Sequence, residues 1–195
     1  METRKEHKRT AILESGAEVM MRKGYHGTGV QEIVDGAGVP KGSFYHYFKS
    51  KQDFVLAAME HMSCDSITRF EETLADDSRS PRQRIMAAYG DSIAAIEAAR
   101  DYSKGCFVGN MCQEMADTNA AVAEKAEYLF RRYTAPLARC IRKAQTAGEI
   151  SPQADPDKLA EAIFNSWEGA VLRMKSSRNS QPLNAFLDML RTLLS

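Results

Sequence analysis

Apolar residues recur at helical spacing in three successive stretches near the start of the chain. The first stretch predicts an amphipathic helix that Gly24 ends. The second, with apolar residues at i, i+3, i+4 and i+7, predicts a short helix from Val30 to Ala37. Gly38-Val39-Pro40 interrupts the backbone, and a third short helix is predicted from about Lys41 to Phe48.

The remaining sequence predicts longer helices separated by polar connectors. Ser50 is a plausible N-cap for a helix that begins near Lys51, and Pro81 suits a helical first turn. Further helices are predicted over 119–147, 155–175 and 182–194, with connectors at 76–81, 101–109 and 176–181. Because no segment alternates like a strand between turn signals, the sequence predicts an all-α fold.

Two short helices joined by a tight turn, behind a longer first helix, are typical of a helix-turn-helix that places a helix in the major groove. We therefore expect residues 1–50 to form a DNA-binding domain. Residues 51–195 are then expected to form a helical domain for regulation and dimerisation.

The third predicted helix has an apolar side and a polar side. Phe44 and Phe48, at i and i+4, are expected to lie in the core. Its other positions offer hydroxyl, imidazole and ammonium groups for phosphates and base edges, and a glycine for close backbone approach: Lys41, Gly42, Ser43, Tyr45, His46 and Tyr47. Thr28 and Lys51 stand at helix N-termini, where phosphate binding is favoured.

Charge is unevenly distributed although the net formal charge is zero. The first 51 residues have nine Lys and Arg against six Asp and Glu, so the remainder is mildly acidic. A basic N-terminal region suits a domain that meets a polyanion. No apolar run is long enough to cross a membrane, and the charged residues 1–10 lack a signal-peptide core, which predicts a cytoplasmic protein.

The four cysteines form no CxxC pair and no metal-binding spacing with histidine, so neither a metal site nor a cofactor is predicted. In the cytosol we expect thiols rather than disulfides at Cys64, Cys106, Cys112 and Cys140.

Three blocks of residues, 24–30, 33–39 and 41–51, resemble the signature of the TetR family of transcriptional regulators. The resemblance covers about the first 60 residues. It implies an all-α homodimer, a C-terminal sensing domain, and repression at a palindromic operator that a signal relieves. It also implies that the DNA-facing positions are Thr28, Lys41, Ser43, Tyr45, His46, Tyr47 and Lys51.

Residues 104–110, 113–119 and 167–170 are similar to a subgroup of that family, the NemR-type repressors that sense electrophiles and oxidants. This resemblance implies that modification of Cys106 is the signal. A helix N-terminus or a nearby cation favours the reactive thiolate, and both Lys104 and Lys175 are candidates for that cation.

Other interpretations remain open for the C-terminal domain. Cys106 is equally able to be a small buried hydrophobe. A small organic inducer that binds reversibly in a pocket is an alternative signal, with candidate lining residues Phe107, Met111, Tyr128, Tyr133 and Trp167. A thiol enzyme is disfavoured because all four histidines lie in or beside the N-terminal domain. A helical adaptor without DNA binding is disfavoured by the intact DNA-facing pattern.

The last two predicted helices, 155–175 and 182–194, have strong apolar faces. In the family, such helices form the four-helix interface of the dimer. The alternative is that these faces close the core of the monomer: Leu159, Ile163, Trp167, Ala170, Val171, Phe186, Leu187, Leu190 and Leu194.

Overall fold

The computed structural model describes residues 4–195, so the first three residues of the charged N-terminal stretch lie outside it. The described residues form helices and no strands, which confirms the all-α prediction. The helices are α1 (Arg4–Lys23), α2 (Val30–Gly36), α3 (Lys41–Tyr47), α4 (Lys51–Ala75), α5 (Pro81–Ala99), α6 (Phe107–Met115), α7 (Ala120–Thr146), α8 (Pro156–Ser177) and α9 (Gln181–Leu193).

Local signals in the sequence explain most of these boundaries. Gly24 follows α1 with a φ of 75°, a left-handed conformation that other residues rarely adopt. Ser50 accepts a hydrogen bond from the Asp53 N–H at 3.0 Å and caps α4 as predicted. Asp155 does the same for α8, where its carboxylate accepts from the Asp157 N–H at 2.9 Å.

One predicted connector is too long. The break expected over 101–109 ends at Cys106, because α6 begins at Phe107 and includes Gly109. The glycine does not stop the helix, since Phe107, Val108, Met111 and Met115 bury the apolar side of α6 and stabilise it.

The described chain forms two compact units. The first contains the residues up to Asp65 together with Phe107–Leu129. It therefore includes α1–α3, the first part of α4, α6 and the first part of α7. The domain boundary expected at residue 50 stays a prediction. Within this unit α1 lies close against its neighbours, because a Cβ added at Gly16 would be 2.3 Å from Phe54 Cζ.

The second unit contains Ser66–Cys106 and Phe130–Ser195, which is the rest of α4, α5, most of α7, α8 and α9. Its core is rich in aromatic rings. The rings of Tyr89 and Phe186 lie 4.9 Å apart, and those of Tyr133 and Phe164 stack at 5.3 Å.

The apolar faces of α8 and α9 are occupied within this unit. Seven of the nine residues considered for a dimer interface are buried and two, Trp167 and Leu187, pack partly buried against the same core. The seven buried residues therefore close the core of this unit, which is the alternative, whereas a role of Trp167 and Leu187 in a dimer interface stays a prediction. The large apolar side chains that α8 and α9 expose are Leu172, Met189 and Leu193.

Among the described residues, no helix is both long enough and apolar enough to span a membrane.

Candidate nucleic-acid interface and sensor site

The apolar side of α3 anchors it in the first unit. Phe44 is fully buried and Phe48 is 2% exposed, which confirms both as core residues. Their ring centroids lie 5.4 Å apart, and each ring also contacts Phe54 of α4. Two buried aromatic anchors on so short a helix fix which of its sides faces solvent.

The opposite side of α3 is open to solvent. Lys41, Gly42 and His46 are exposed, and Tyr45 is 56% exposed. Ser43 and Tyr47 are half-buried. These six residues form a polar surface, the α3 face, on which hydroxyl, imidazole and ammonium groups lie together. The role of the α3 face in DNA contact stays a prediction.

Thr28 lies elsewhere. Its side chain is 1% exposed, and its hydroxyl donates to the Gly24 carbonyl at 2.7 Å. It therefore closes the turn between α1 and α2, residues 24–29, from the inside. A phosphate contact by Thr28 stays a prediction, and the geometry gives its side chain a structural role.

Lys51 also holds this turn. Its ammonium donates to the carbonyls of Tyr25 and Thr28, at 2.8 and 2.9 Å, and lies 4.1 Å from the centroid of the Tyr25 ring. An ammonium has three N–H donors, so the proposed phosphate contact has at most one of them to use. That contact stays a prediction.

Glu114, on the last turn of α6, binds the same turn through its carboxylate. One oxygen accepts from the Tyr25 N–H at 2.7 Å, and the other accepts from the His26 N–H at 2.8 Å. A Cβ at Gly24 would be 2.6 Å from this carboxylate. Glu114 of α6 therefore binds N–H groups of this turn, and Lys51 of α4 binds its carbonyl groups, so two helices hold the same turn.

Cys106 is the residue directly before α6 and is half-buried in the second unit. Lys104 is exposed and pairs with Asp101 at 3.4 Å. The Lys175 stem passes close to the neighbouring backbone, since its Cδ is 3.6 Å from where a Cβ of Gly105 would be. The structure thus brings Lys175 to the chain beside Cys106.

The other thiols differ from Cys106 in their surroundings. Burial raises the pKa of the Cys112 thiol and that of the Cys140 thiol, which disfavours the reactive thiolate at both. Cys140 also donates to the Pro81 carbonyl at 3.3 Å. Cys64 is exposed on α4.

Glu168 of α8 is a half-buried carboxyl group that sequence reasoning did not select. Burial raises the pKa of Glu168, and a hydrogen bond with the Cys106 side chain partly offsets this effect. The Tyr133 hydroxyl lies close by and shares a hydrogen bond of 2.7 Å with Ser66. Burial is the main cause that raises the pKa of Tyr133 to about 12, with smaller contributions from Cys106 and Glu168.

The sequence contains a weak signal for Glu168 and none for Glu114. Glu168 falls four residues after the buried Phe164 and three before the buried Val171, so it occupies a core-facing register of α8. Glu114 carries no such signal, because its partners are backbone groups 88 and 89 residues away.

The five candidates for a ligand pocket are distributed over both units. Phe107 and Met111 are buried in the first unit, whereas Tyr133 and Trp167 pack partly buried in the second. Tyr128 is 53% exposed, with the Lys125 ammonium 5.2 Å from its ring centroid. Their role in a pocket stays a prediction. A separate open groove of about 810 Å³ in the second unit contains none of them.

Within the described residues no group of His, Cys, Asp and Glu is arranged to hold a metal ion.

Two family models match the chain. Residues 12–58 match the model described as "Bacterial regulatory proteins, tetR family". Residues 81–190 match "Tetracyclin repressor-like, C-terminal domain". The second match alone covers more than half of the chain.

Individual relatives agree with these models. The chain is 34% identical to the HTH-type transcriptional repressor DhaR of Mycobacterium sp., over 92% of this chain and 88% of that one. It is 39% identical to the transcriptional regulator AcuR of Cereibacter sphaeroides, over 90% and 80%. The crystal structure of the reduced form of Escherichia coli NemR matches with a TM-score of 0.85 and 26% identity, and the match covers 97% of both chains.

Proposed function

Since the chain belongs to the TetR family of bacterial transcriptional regulators, we propose that it represses transcription as a homodimer and leaves its operator when Cys106 is modified. The α3 face supplies the contacts to an approximately palindromic operator, with one face per half-site. Its relatives are regulators, and the chain is a regulator rather than an enzyme. Binding to chromosomal DNA implies a cytoplasmic location.

The position of Cys106 on the chain is the observation that supports release of the operator when this residue is modified. It directly precedes α6, and α6 presents Glu114 to the turn before the helix-turn-helix. A group added to Cys106 displaces the start of α6, weakens the hold of Glu114 on that turn, and changes how the α3 face is presented. NemR, one of the matched relatives, was crystallised in a reduced form, which supports a test of thiol chemistry.

Two kinds of reagent would modify this thiol. An electrophilic carbon forms a bond to Sγ as the thiol proton leaves. A hydroperoxide transfers one oxygen atom to Sγ, which gives a sulfenic acid and an alcohol or water. The first product is stable to mild reductant, whereas the second is reversed by it.

Operator binding by the wild type and by Cys106→Ser, each with and without N-ethylmaleimide or hydroperoxide, tests the proposal. The operator is first selected from genomic fragments. We expect both proteins to bind alike without reagent, and the wild type alone to lose affinity by about 10- to 100-fold after treatment. A thiol reductant should restore the wild type after hydroperoxide only.

Cys64→Ser is the matched control, because it removes an exposed thiol elsewhere on the chain. It should respond to both reagents as the wild type does. If Cys106→Ser also releases the operator, Cys106 is a packing residue, and the alternative is a reversible inducer that binds between the helices.

The exposed apolar residues of α8 and α9 support a second part of the proposal, the homodimer. Leu172, Met189 and Leu193 are 58%, 38% and 43% exposed, on the two helices that form the dimer interface in this family. We propose that a second copy of the chain covers them.

Leu172→Glu is expected to raise the dissociation constant of the dimer by about 100-fold, because it places like charges at a shared apolar interface. Sedimentation equilibrium measures this constant. Met62→Glu is the control, since Met62 is an exposed apolar residue of α4, and it should leave the dimer intact. An unchanged dimer in Leu172→Glu would exclude this face.

A further inference from the structure

The first two turns of α1 carry a row of exposed basic side chains. Lys5, Lys8 and Arg9 stand at i, i+3 and i+4, so they lie on one side of the helix. We call these three residues the basic face. The same side of α1 is part of the core further along, because Ile12 and Gly16 continue this spacing and both are buried. The basic face therefore continues the core-facing side of α1 beyond the end of the core.

The basic face lies beside the end of α3. The guanidinium carbon of Arg9 is 5.4 Å from the centroid of the Phe48 ring, and Phe48 directly follows α3. A cation over an aromatic ring at this distance is attracted to it, which holds Arg9 in place. Lys5 lies about one helical turn before Arg9, roughly 6 Å further along the axis of α1. Arg9 thus connects the basic face to the end of the helix that carries the α3 face.

Three cations at this position are electrostatically unfavourable in the free protein. The N-terminus of a helix has a partial positive charge, which disfavours cations in the first turns. Like charges at i, i+3 and i+4 also repel one another. Among the described residues none of the three cations is paired with a carboxylate, since Glu18 pairs with Arg22 and the Glu14 carboxylate lies 3.9 Å from Nε2 of His61. A polyanion bound at the basic face would remove both unfavourable effects.

A similar row of cations on α7 has a structural explanation that the basic face lacks. Arg139, Arg142 and Lys143 are exposed at the same i, i+3, i+4 spacing. Lys143 lies in the last turn of α7, where the partial negative charge of the helix favours a cation, and Arg142 pairs with Asp157. The basic face has neither kind of stabilisation within the chain, which indicates that it binds an anion.

We propose that the basic face binds the phosphate backbone of the DNA that flanks each half-site of the operator. Because Arg9 lies past the end of α3, the face meets the duplex outside the base pairs that the α3 face reads. Ammonium and guanidinium groups bind phosphates through charge and hydrogen bonds, and such contacts carry no sequence information. The inference rests on the proposed function and adds a second contact, before residue 12 where the match to the N-terminal family model begins.

The length of the operator and the charge of the basic face, changed separately and together, test the proposal. The variant combines Lys5→Gln, Lys8→Gln and Arg9→Gln, and we call it the basic-face variant. The short operator ends at its half-sites, and the long one has about ten further base pairs, one turn of the duplex, on each side. We expect the wild type to bind the long operator at least about tenfold more tightly than the short one. The basic-face variant should bind both alike, with the affinity of the wild type for the short operator.

The salt dependence of binding reports the number of phosphate contacts. Each contact contributes about −0.9 to the slope of log K against log salt concentration, and a homodimer presents the basic face twice. Arg9→Gln alone should therefore flatten the slope on the long operator by about two units, and on the short operator it should have no effect. Replacing a base pair within a half-site should weaken the wild type and the basic-face variant by the same factor, because the basic face does not read bases.

Arg139→Gln, Arg142→Gln and Lys143→Gln together form the matched control, which removes the same charge at the same spacing from α7. This control should show the same preference for the long operator as the wild type. Urea unfolding should show the basic-face variant no less stable than the wild type, because it removes cations from a helix N-terminus. Its loss of affinity is then not a loss of folding.

Two results would overturn the proposal. One is a wild type that binds the short and long operators equally, and the other is a basic-face variant that still prefers the long operator as the wild type does. The proposed function fails separately, if the wild type shows no preference for its operator over unrelated DNA of the same length.

Discussion

Alanine at both Lys41 and Tyr45 is expected to abolish specific operator binding while the protein stays folded. Both side chains lie on the exposed α3 face, and the burial of Phe44 and Phe48 on the opposite side does not depend on them. A good contact to a base contributes about 1–3 kcal/mol of discrimination, so the loss of two contacts of that size corresponds to at least about a 30-fold loss of affinity.

The two residues should contribute differently, which single variants can show. Each phosphate that a cation neutralises contributes about −0.9 to the slope of log K against log salt concentration, so Lys41→Ala should flatten the slope if Lys41 binds phosphate. Tyr45→Ala should weaken specific binding with little change in slope. Fluorescence anisotropy over a range of salt concentrations measures both effects.

Lys143→Ala provides the control for loss of one positive charge, because Lys143 is exposed on α7 in the second unit. It should bind the operator as the wild type does. If the double variant retains full affinity, the α3 face is not the recognition surface, and a helical adaptor without DNA binding becomes the better interpretation.

Glu114→Ala is expected to lower both the stability of the first unit and its affinity for the operator. The change removes two hydrogen bonds from a carboxylate to the Tyr25 and His26 N–H groups. Hydrogen bonds to a charged group contribute about 1.5–3 kcal/mol each when buried, and the one to His26 is exposed, so we expect a loss of about 2 kcal/mol. Urea unfolding measures it.

We expect weaker DNA binding because this turn positions the two helices that follow it. Residues 24–29 lead directly into α2, and α2 precedes α3, so a looser turn leaves the α3 face less well positioned. Gln113→Ala is the matched control, because Gln113 is the exposed neighbour on α6 and should leave stability and affinity unchanged. Glu114→Ala with unchanged affinity would show that α6 does not act on the helix-turn-helix through this turn.

Local sequence signals were sufficient to predict helix ends and buried helix sides, because there each residue interacts mainly with its neighbours along the chain. The glycine after α1 and the caps at Ser50 and Asp155 determine where helices end or begin. The spacing of Phe44 and Phe48 determined the buried side of α3, because a helix brings residues four apart together. The all-α fold follows from the same periodicity.

The sequence was less informative where one residue type suits two roles. Lys51 and Thr28 match DNA-facing positions of the family pattern, yet in this chain both hold the turn between α1 and α2. An ammonium or a hydroxyl binds a backbone carbonyl as readily as a phosphate, so residue type alone does not distinguish these partners.

The apolar faces of α8 and α9 are a second case in which the sequence allows two roles. Periodicity identifies such a face, but the same pattern serves a monomer core and a dimer interface. Packing within the second unit buries most of the apolar residues of α8 and α9, and it leaves Leu172, Met189 and Leu193 exposed.

By itself the sequence determined the helices, the polar surface of α3, the family and the position of Cys106 at a break before a helix. Only the tertiary structure brought Glu114 to the turn after α1 and Glu168 to Cys106. The physical reason is the range of the interactions. Helix formation, capping and amphipathic spacing depend on residues within about one turn of each other, whereas both carboxyl groups act on partners more than 60 residues away, which only the packing of helices brings together.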